Sequence, residues 1–185
     1  MVRSVSVKAK SDLNGNVETP AEMAGDGPIL DVNGDPVDAI WAAEFRGFFW
    51  GEGTIAVQIQ NYERHYRSIS VSASIGLRTD DAAVLREFQR RLGGTLKIES
   101  YRDGSGRTVT RWKTGVAAHN LRIAHLLESP TGLPFNKAKQ LALWRLAIET
   151  KLQSGATSGS RYTPEARATM VRVSAELQKL RTWAG

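Results

Sequence analysis

The chain has 185 residues, 41% of them hydrophobic, with a formal net charge of +6 and no cysteine. That length suits one compact domain with a core of its own, and the lack of cysteine excludes disulfides, thiolate metal sites and a cysteine nucleophile. Residues 11–45 carry eight acids and no Lys or Arg, whereas residues 46–185 carry 22 basic against 11 acidic residues, so the body of the chain suits a polyanion, DNA or RNA.

Residues 1–37 are rich in Gly, Pro and Asn and hold no sustained period, which predicts an arm or irregular lead-in. No apolar run is long enough to cross a membrane, and no hydrophobic segment follows the N-terminal basic residues, so neither anchor nor export signal is expected. Asp38 is a fitting N-cap for a helix that runs to Glu52. Along it Ala43, Gly47 and Gly51 recur at i, i+4 and i+8 and leave one helix face almost without side-chain bulk. Glu52 follows, set between two glycines at the junction with a strand. Two copies of this helix packed along the ridge would bring two Glu52 carboxylates together.

From Thr54 the period changes to two. Ile55, Val57 and Ile59 alternate with Thr54, Ala56, Gln58 and Gln60, and after a loop at 61–66 Ile69, Val71, Ala73 and Ile75 alternate with Ser68, Ser70, Ser72 and Ser74. The product is a ribbon with an oily face and a face of small hydrogen-bonding groups, suited to reading base edges in a major groove. Thr79, Asp80 and Asp81 predict a helix start, Leu85, Phe88 and Leu92 its apolar face, and Gly93-Gly94 its stop. A third strand sets Leu96 and Ile98 against Thr95, Lys97, Glu99 and Tyr101; after a turn at 103–106 a fourth sets Arg107, Val109, Arg111 and Lys113 against Thr108, Thr110 and Trp112. This second hairpin also offers a polar, basic face, on which Arg111 and Lys113 suit guanine, as Gln58 and Gln60 on the first suit adenine. Arg78 and Lys137, at helix termini, suit phosphates. A helix over 117–127 ends before Pro130, and another opens near Leu133 with Leu141, Trp144, Ile148 and Leu152 at core spacing. After a linker at 154–160, Thr163-Pro164-Glu165 starts a last helix whose Met170, Val173, Leu177, Leu180 and Trp183 form a packing face. His65, His119 and His125 lack metal-ligand spacing and read as surface or core residues.

The stretch from Phe45 to Gly53 resembles the signature of the LAGLIDADG homing endonucleases. Phe45 stands for the leading Leu, Gly47 for the first Gly, Phe48-Phe49 for the Leu-Ile pair, Gly51 for the small residue, Glu52 for the essential acid and Gly53 for the last Gly; Arg46 and Trp50 depart from it. The likeness continues in order from Asp38 to Leu152, including a Pro134-Phe135-x-x-x-Lys139 stretch. It implies an α+β fold, αββαββα, with a four-stranded antiparallel DNA-binding sheet and extra C-terminal helices. The core would span 38–153, with 154–185 as linker and C-terminal helix. The signature occurs once, which in this family implies a homodimer through the 38–51 helix on double-stranded DNA. The resemblance further implies Mg2+ held by Glu52 and the Gly51 carbonyl, and Lys139 near the scissile phosphate. At the end of the second strand, where relatives carry a polar active-site group, stands Leu77. The expected function is therefore a site-specific endonuclease cutting both strands of a long, roughly palindromic target, intracellular in a bacterial or phage-infected host or an organelle. The alternative is a cleavage-deficient relative serving as an RNA-splicing maturase or DNA-binding regulator.

Overall fold

The computed structural model describes residues 28–61, 67–100, 107–129, 131–155 and 162–182. Among these residues five α-helices and four strands follow one another as α1 (Ala39–Glu52), β1 (Gly53–Asn61), β2 (Arg67–Arg78), α2 (Ala83–Leu92), β3 (Thr95–Ser100), β4 (Thr108–Thr114), α3 (Ala117–Leu127), α4 (Phe135–Gln153) and α5 (Pro164–Thr182). The strands form one antiparallel sheet in the order β1-β2-β4-β3. Among the described residues no helix is long and apolar enough to cross a membrane.

Alternation decides which side of the sheet carries the core. Ile55, Val57, Ile69, Val71, Ala73, Ile75 and Trp112 point to one side and are buried under the helices. There Phe45 and Phe88 meet edge to face with centroids 5.0 Å apart, and both pack edge-on to Trp112, at 6.5 and 6.0 Å. Such an aromatic cluster fixes α1 and α2 on the sheet, since each buried ring contributes roughly 1.5–3 kcal/mol and its geometry is directional.

Asp38 caps α1 as expected, accepting from the Trp41 N–H at 2.8 Å. Upstream of it, residues 28–37 make a tight turn on the buried Asp31 carboxylate, which accepts from the backbone of Asn33 and Asp35. The turn occupies two C-terminal carbonyls of α2, with Val32 N donating to Arg91 O and Asn33 Nδ2 to Arg90 O. Helix α2 itself ends at Gly93, whose φ of 72° favours glycine. The Thr79 helix start is corrected: Thr79–Asp81 is a separate 3-10 turn, and α2 begins at Ala83 without a side-chain cap. The Thr79 hydroxyl is engaged elsewhere, bonding Thr108 at 2.7 Å, so it ties the turn to β4 instead of capping a helix.

Thr163 caps α5, accepting from Ala166 N. Met170, Val173 and Leu177 of α5 are buried, as the packing-face reading expects, while Trp183 lies outside the described residues. Helix α5 also covers the outer edge of β1: the Ser174 hydroxyl donates to Val57 O at 2.9 Å and the Arg181 guanidinium to Ile55 O. Thus two carbonyls of an otherwise open edge strand are satisfied, which blocks pairing with another chain.

The junction of α1 and β1 tolerates no side chain. A Cβ on Gly53 would lie 2.6 Å from the Phe49 carbonyl oxygen and 2.8 Å from its ring. Gly53→Ala is therefore expected to destabilise the fold by about 1–3 kcal/mol, the cost of overpacking against backbone, read as a lower midpoint in thermal or urea unfolding; an unchanged midpoint would mean that the junction relaxes freely.

Candidate functional site

The helix-to-strand junction places Glu52 at the exposed end of α1 and at the head of β1. Its side chain lines a groove of about 710 Å³ on the sheet face opposite the core, together with Thr54, Ser74, Arg78, Asp81 and Arg111. Pairing explains this company. Gly53 sits opposite Ile75, so Glu52 is level with Gly76; Gly76 pairs with Arg111 and Arg111 with Lys97. One rung further along, Thr54, Ser74, Lys113 and Thr95 stand side by side. Beyond it Gln58 faces Ser70 and Gln60 faces Ser68. The fold thus gathers the polar positions of both hairpins on a single surface, with Glu52 at one end.

Two of the expected contact residues drop out. Ala56 and Ser72 face each other on this side but are only 8% and 2% exposed. Both are therefore packing residues beneath the surface a groove could touch. Thr54, Gln58, Gln60, Ser68, Arg78, Lys97, Glu99 and Lys113 are exposed, and Ser70, Ser74 and Arg111 are half-buried. Arg78 pairs with Asp80 at 3.1 Å. Arg111 is bound by Glu99, with Nε 3.1 Å from Oε2. Tyr101 and residues 62–66 of the expected loop, His65 among them, lie outside the described residues.

The two departures from the signature turn out to be structural fasteners. Arg46 Nε donates to Leu126 O at 3.0 Å and Trp50 Nε1 to Leu127 O at 3.4 Å, one helical turn apart on α1. They take up two of the last carbonyls of α3, which a helix leaves without partners, and Arg46 adds a favourable charge at the negative helix end. The face of Trp50 carries Lys137, whose ammonium lies 5.0 Å from the ring centroid. Such a contact contributes roughly 0.5–1 kcal/mol at an exposed site, and it sets the first turn of α4 against Trp50, two residues before Glu52. Lys139 is exposed in the same turn. It neighbours Glu176 of α5, whose carboxyl is held below its ordinary value first by the hydrogen bond from Lys179 and in part by the charge of Lys139. Leu77 lines the groove as an apolar wall.

The ridge of α1 is open. Ala43, Gly47 and Gly51 are exposed, a Cβ on either glycine would meet nothing within 4 Å, and Ile40 on the same face is 74% exposed. His119 and His125 are packed into the fold. His125 Nε2 lies 3.1 Å from Arg145 Nη2, and the His119 ring packs against Gly93; burial lowers the pKa of both. Among the described residues no cluster of three or more His, Asp or Glu could hold a metal by itself. The oxygen donors at the junction are the Glu52 carboxylate and the terminal α1 carbonyls, Gly51 among them, since a helix leaves its last four carbonyls without intrahelical partners.

No protein-family model and no curated protein matches the sequence. Solved structures match in shape. The homing endonuclease I-CvuI, solved on DNA in the presence of Mg, superposes on 76% of this chain and 82% of its own with a TM-score of 0.58 at 17% identity. The archaeal intron-encoded I-Vdi141I, complexed with DNA, covers 76% of this chain and 84% of its own with a TM-score of 0.56 at 16% identity. The chain has the fold of the LAGLIDADG homing endonucleases. The LAGLIDADG meganuclease I-CpaMI, bound to uncleaved DNA, is matched over 74% of this chain but 43% of its own, with a TM-score of 0.59 at 18% identity. Within this fold α1 is the helix whose sequence resembles the signature, the Glu52 groove lies on the open sheet face, and α5 seals the β1 edge.

Proposed function

We propose that this protein is a site-specific DNA endonuclease of the LAGLIDADG type, acting as a homodimer with a divalent cation, Mg2+, to break both strands of a long, roughly palindromic target. The observation that carries the reading is the placement of Glu52: an exposed acid ends a helix whose small-residue face is open, and heads a groove of polar and charged side chains that includes Arg78 and Arg111.

Two copies docked along Ala43, Gly47 and Gly51 would set their Glu52 carboxylates on either side of the twofold. The Glu52 carboxylate and the Gly51 carbonyl are hard oxygen donors of the kind Mg2+ takes, and a partner's Glu52 with phosphate oxygens would complete the set. Such an ion, when bound, renders water nucleophilic and stabilises the leaving alkoxide. Within the chain, Lys139 supplies positive charge for the phosphate under attack, and Lys137, braced on Trp50, neutralises a neighbouring one. The sheet positions the duplex. A strand of ~10 residues spans ~33 Å, near the ~34 Å of one turn of DNA, so each protomer would follow a half-site of about ten base pairs.

Selection from a randomised duplex library in Mg2+ is the direct test, with recovery of a palindromic consensus of roughly two turns as the expected result; no consensus would overturn the reading. The same library separates base reading from phosphate contact. Arg111→Ala should cost ~1–3 kcal/mol at the cognate site and relax preference at one position per half-site. Lys137→Ala should weaken all sequences alike and lower the salt slope by about one unit per protomer. An Arg111→Ala profile that is weaker but unchanged in shape would mean that the face does not read bases.

A further inference from the structure

Arg111 is held in a particular way. Glu99 takes its Nε, at 3.1 Å, across the β3–β4 pair, and the Arg111 side chain makes no other hydrogen bond among the described residues. The side chain also lies over Gly76, where a Cβ would come 3.5 Å from Nη1 and 3.6 Å from Cζ, so the missing side chain of β2 gives the guanidinium room to lie across the strand. An arginine fixed through Nε presents its two Nη groups as a fork, and that fork matches the O6 and N7 acceptors of guanine.

We infer that Glu99 is a positioning residue for guanine recognition: it does not read a base itself but aims Arg111 at one guanine per half-site, in the base pairs that adjoin Glu52. This rests on the DNA-binding reading given above. The location follows from register, since Arg111 shares its rung with Gly76, the residue level with Glu52, and both side chains line one groove. The charge balance makes the role separable from bulk electrostatics. A free carboxylate on a DNA-facing surface repels every sequence equally, and its removal raises affinity without altering preference. A carboxylate that orients Arg111 has the opposite signature: without it the guanidinium samples other directions and the guanine preference falls.

The test is a binding profile over all single base-pair variants of the selected site at fixed salt, for the wild type and for Glu99→Ala, Glu99→Gln, Arg111→Ala and the Glu99→Ala/Arg111→Ala double variant. Glu99→Ala should lower guanine preference about tenfold at the very position that Arg111→Ala relaxes, within the range of one bidentate contact. The double variant should show no further loss there. Glu99→Gln, whose carbonyl still accepts from Nε, should keep most of the preference. Uniform tightening by Glu99→Ala with an unchanged profile would overturn the inference while leaving the DNA-binding reading intact. Loss of preference at a different position would overturn it too, by making Glu99 a reader in its own right. A wild-type profile with no preferred base at any position would overturn the reading and the inference together.

Discussion

Glu52→Gln should abolish Mg2+-dependent double-strand cleavage while leaving DNA binding nearly unchanged. The substitution keeps shape and one acceptor oxygen but removes the charge, and the junction offers no second acid at hand to replace it: the nearest acids of the groove are Asp81 and Glu99, carried by other elements and, for Glu99, already paired with Arg111. Loss of one preorganised charged group at a reacting centre lowers turnover by at least about 10²–10³-fold, and twofold symmetry places the lesion at both scissile phosphates. The fold should not notice, because the Glu52 side chain is exposed and makes no hydrogen bond or ion pair among the described residues. Cleavage of a plasmid carrying the selected site, beside a gel-shift titration, makes the check; equal cleavage by the variant would remove Glu52 from the metal site.

Gly47→Leu should convert a dimer into a folded monomer. A Cβ at Gly47 meets nothing within 4 Å in the single chain, so the new side chain harms neither α1 nor the core, and leucine is a better helix former than glycine by several tenths of a kcal/mol. The damage is confined to the contact between copies. Helices that touch along glycine cannot keep that separation once a leucine stands between them, and overpacking costs about 1–3 kcal/mol per clash, met twice across a twofold. The expected result is half the wild-type mass in sedimentation, unchanged helical circular dichroism and no cleavage. A stable dimer of full mass would refute packing along the ridge. The contrast with Gly53→Ala is instructive: of two glycines six residues apart, one has open space around it and the other lies tight against the Phe49 backbone.

Much of the fold was legible because its signals are local. The alternation of Ile55 to Ile59 and of Ile69 to Ile75, the Asp38 and Thr163 caps and the Gly93 stop act within a few residues of where they stand, and the structure places strands and helices there. The Thr79 hydroxyl escaped this logic because its partner, Thr108, is 29 residues away. The same holds at the site. Periodicity assigned Ala56 and Ser72 to the outer face, yet alternation says only which side a residue takes and not how accessible it is there, and both are buried. Arg46 and Trp50 looked like mere departures from a signature, because the carbonyls they serve, Leu126 O and Leu127 O, belong to a helix some 80 residues on.

The sequence by itself determined the element order, the oily and polar faces of the first hairpin, the small-residue ridge and the acid behind it, since each depends only on spacing along the chain. Tertiary structure alone decided which residues meet. The order β1-β2-β4-β3 brings Arg111 level with Glu52, the α1–α3 contact gives Arg46 and Trp50 their acceptors, and α5 folds back to seal the β1 edge with Ser174 and Arg181. These are pairings between distant segments, fixed by how the buried faces pack together, and no local pattern in the chain encodes them.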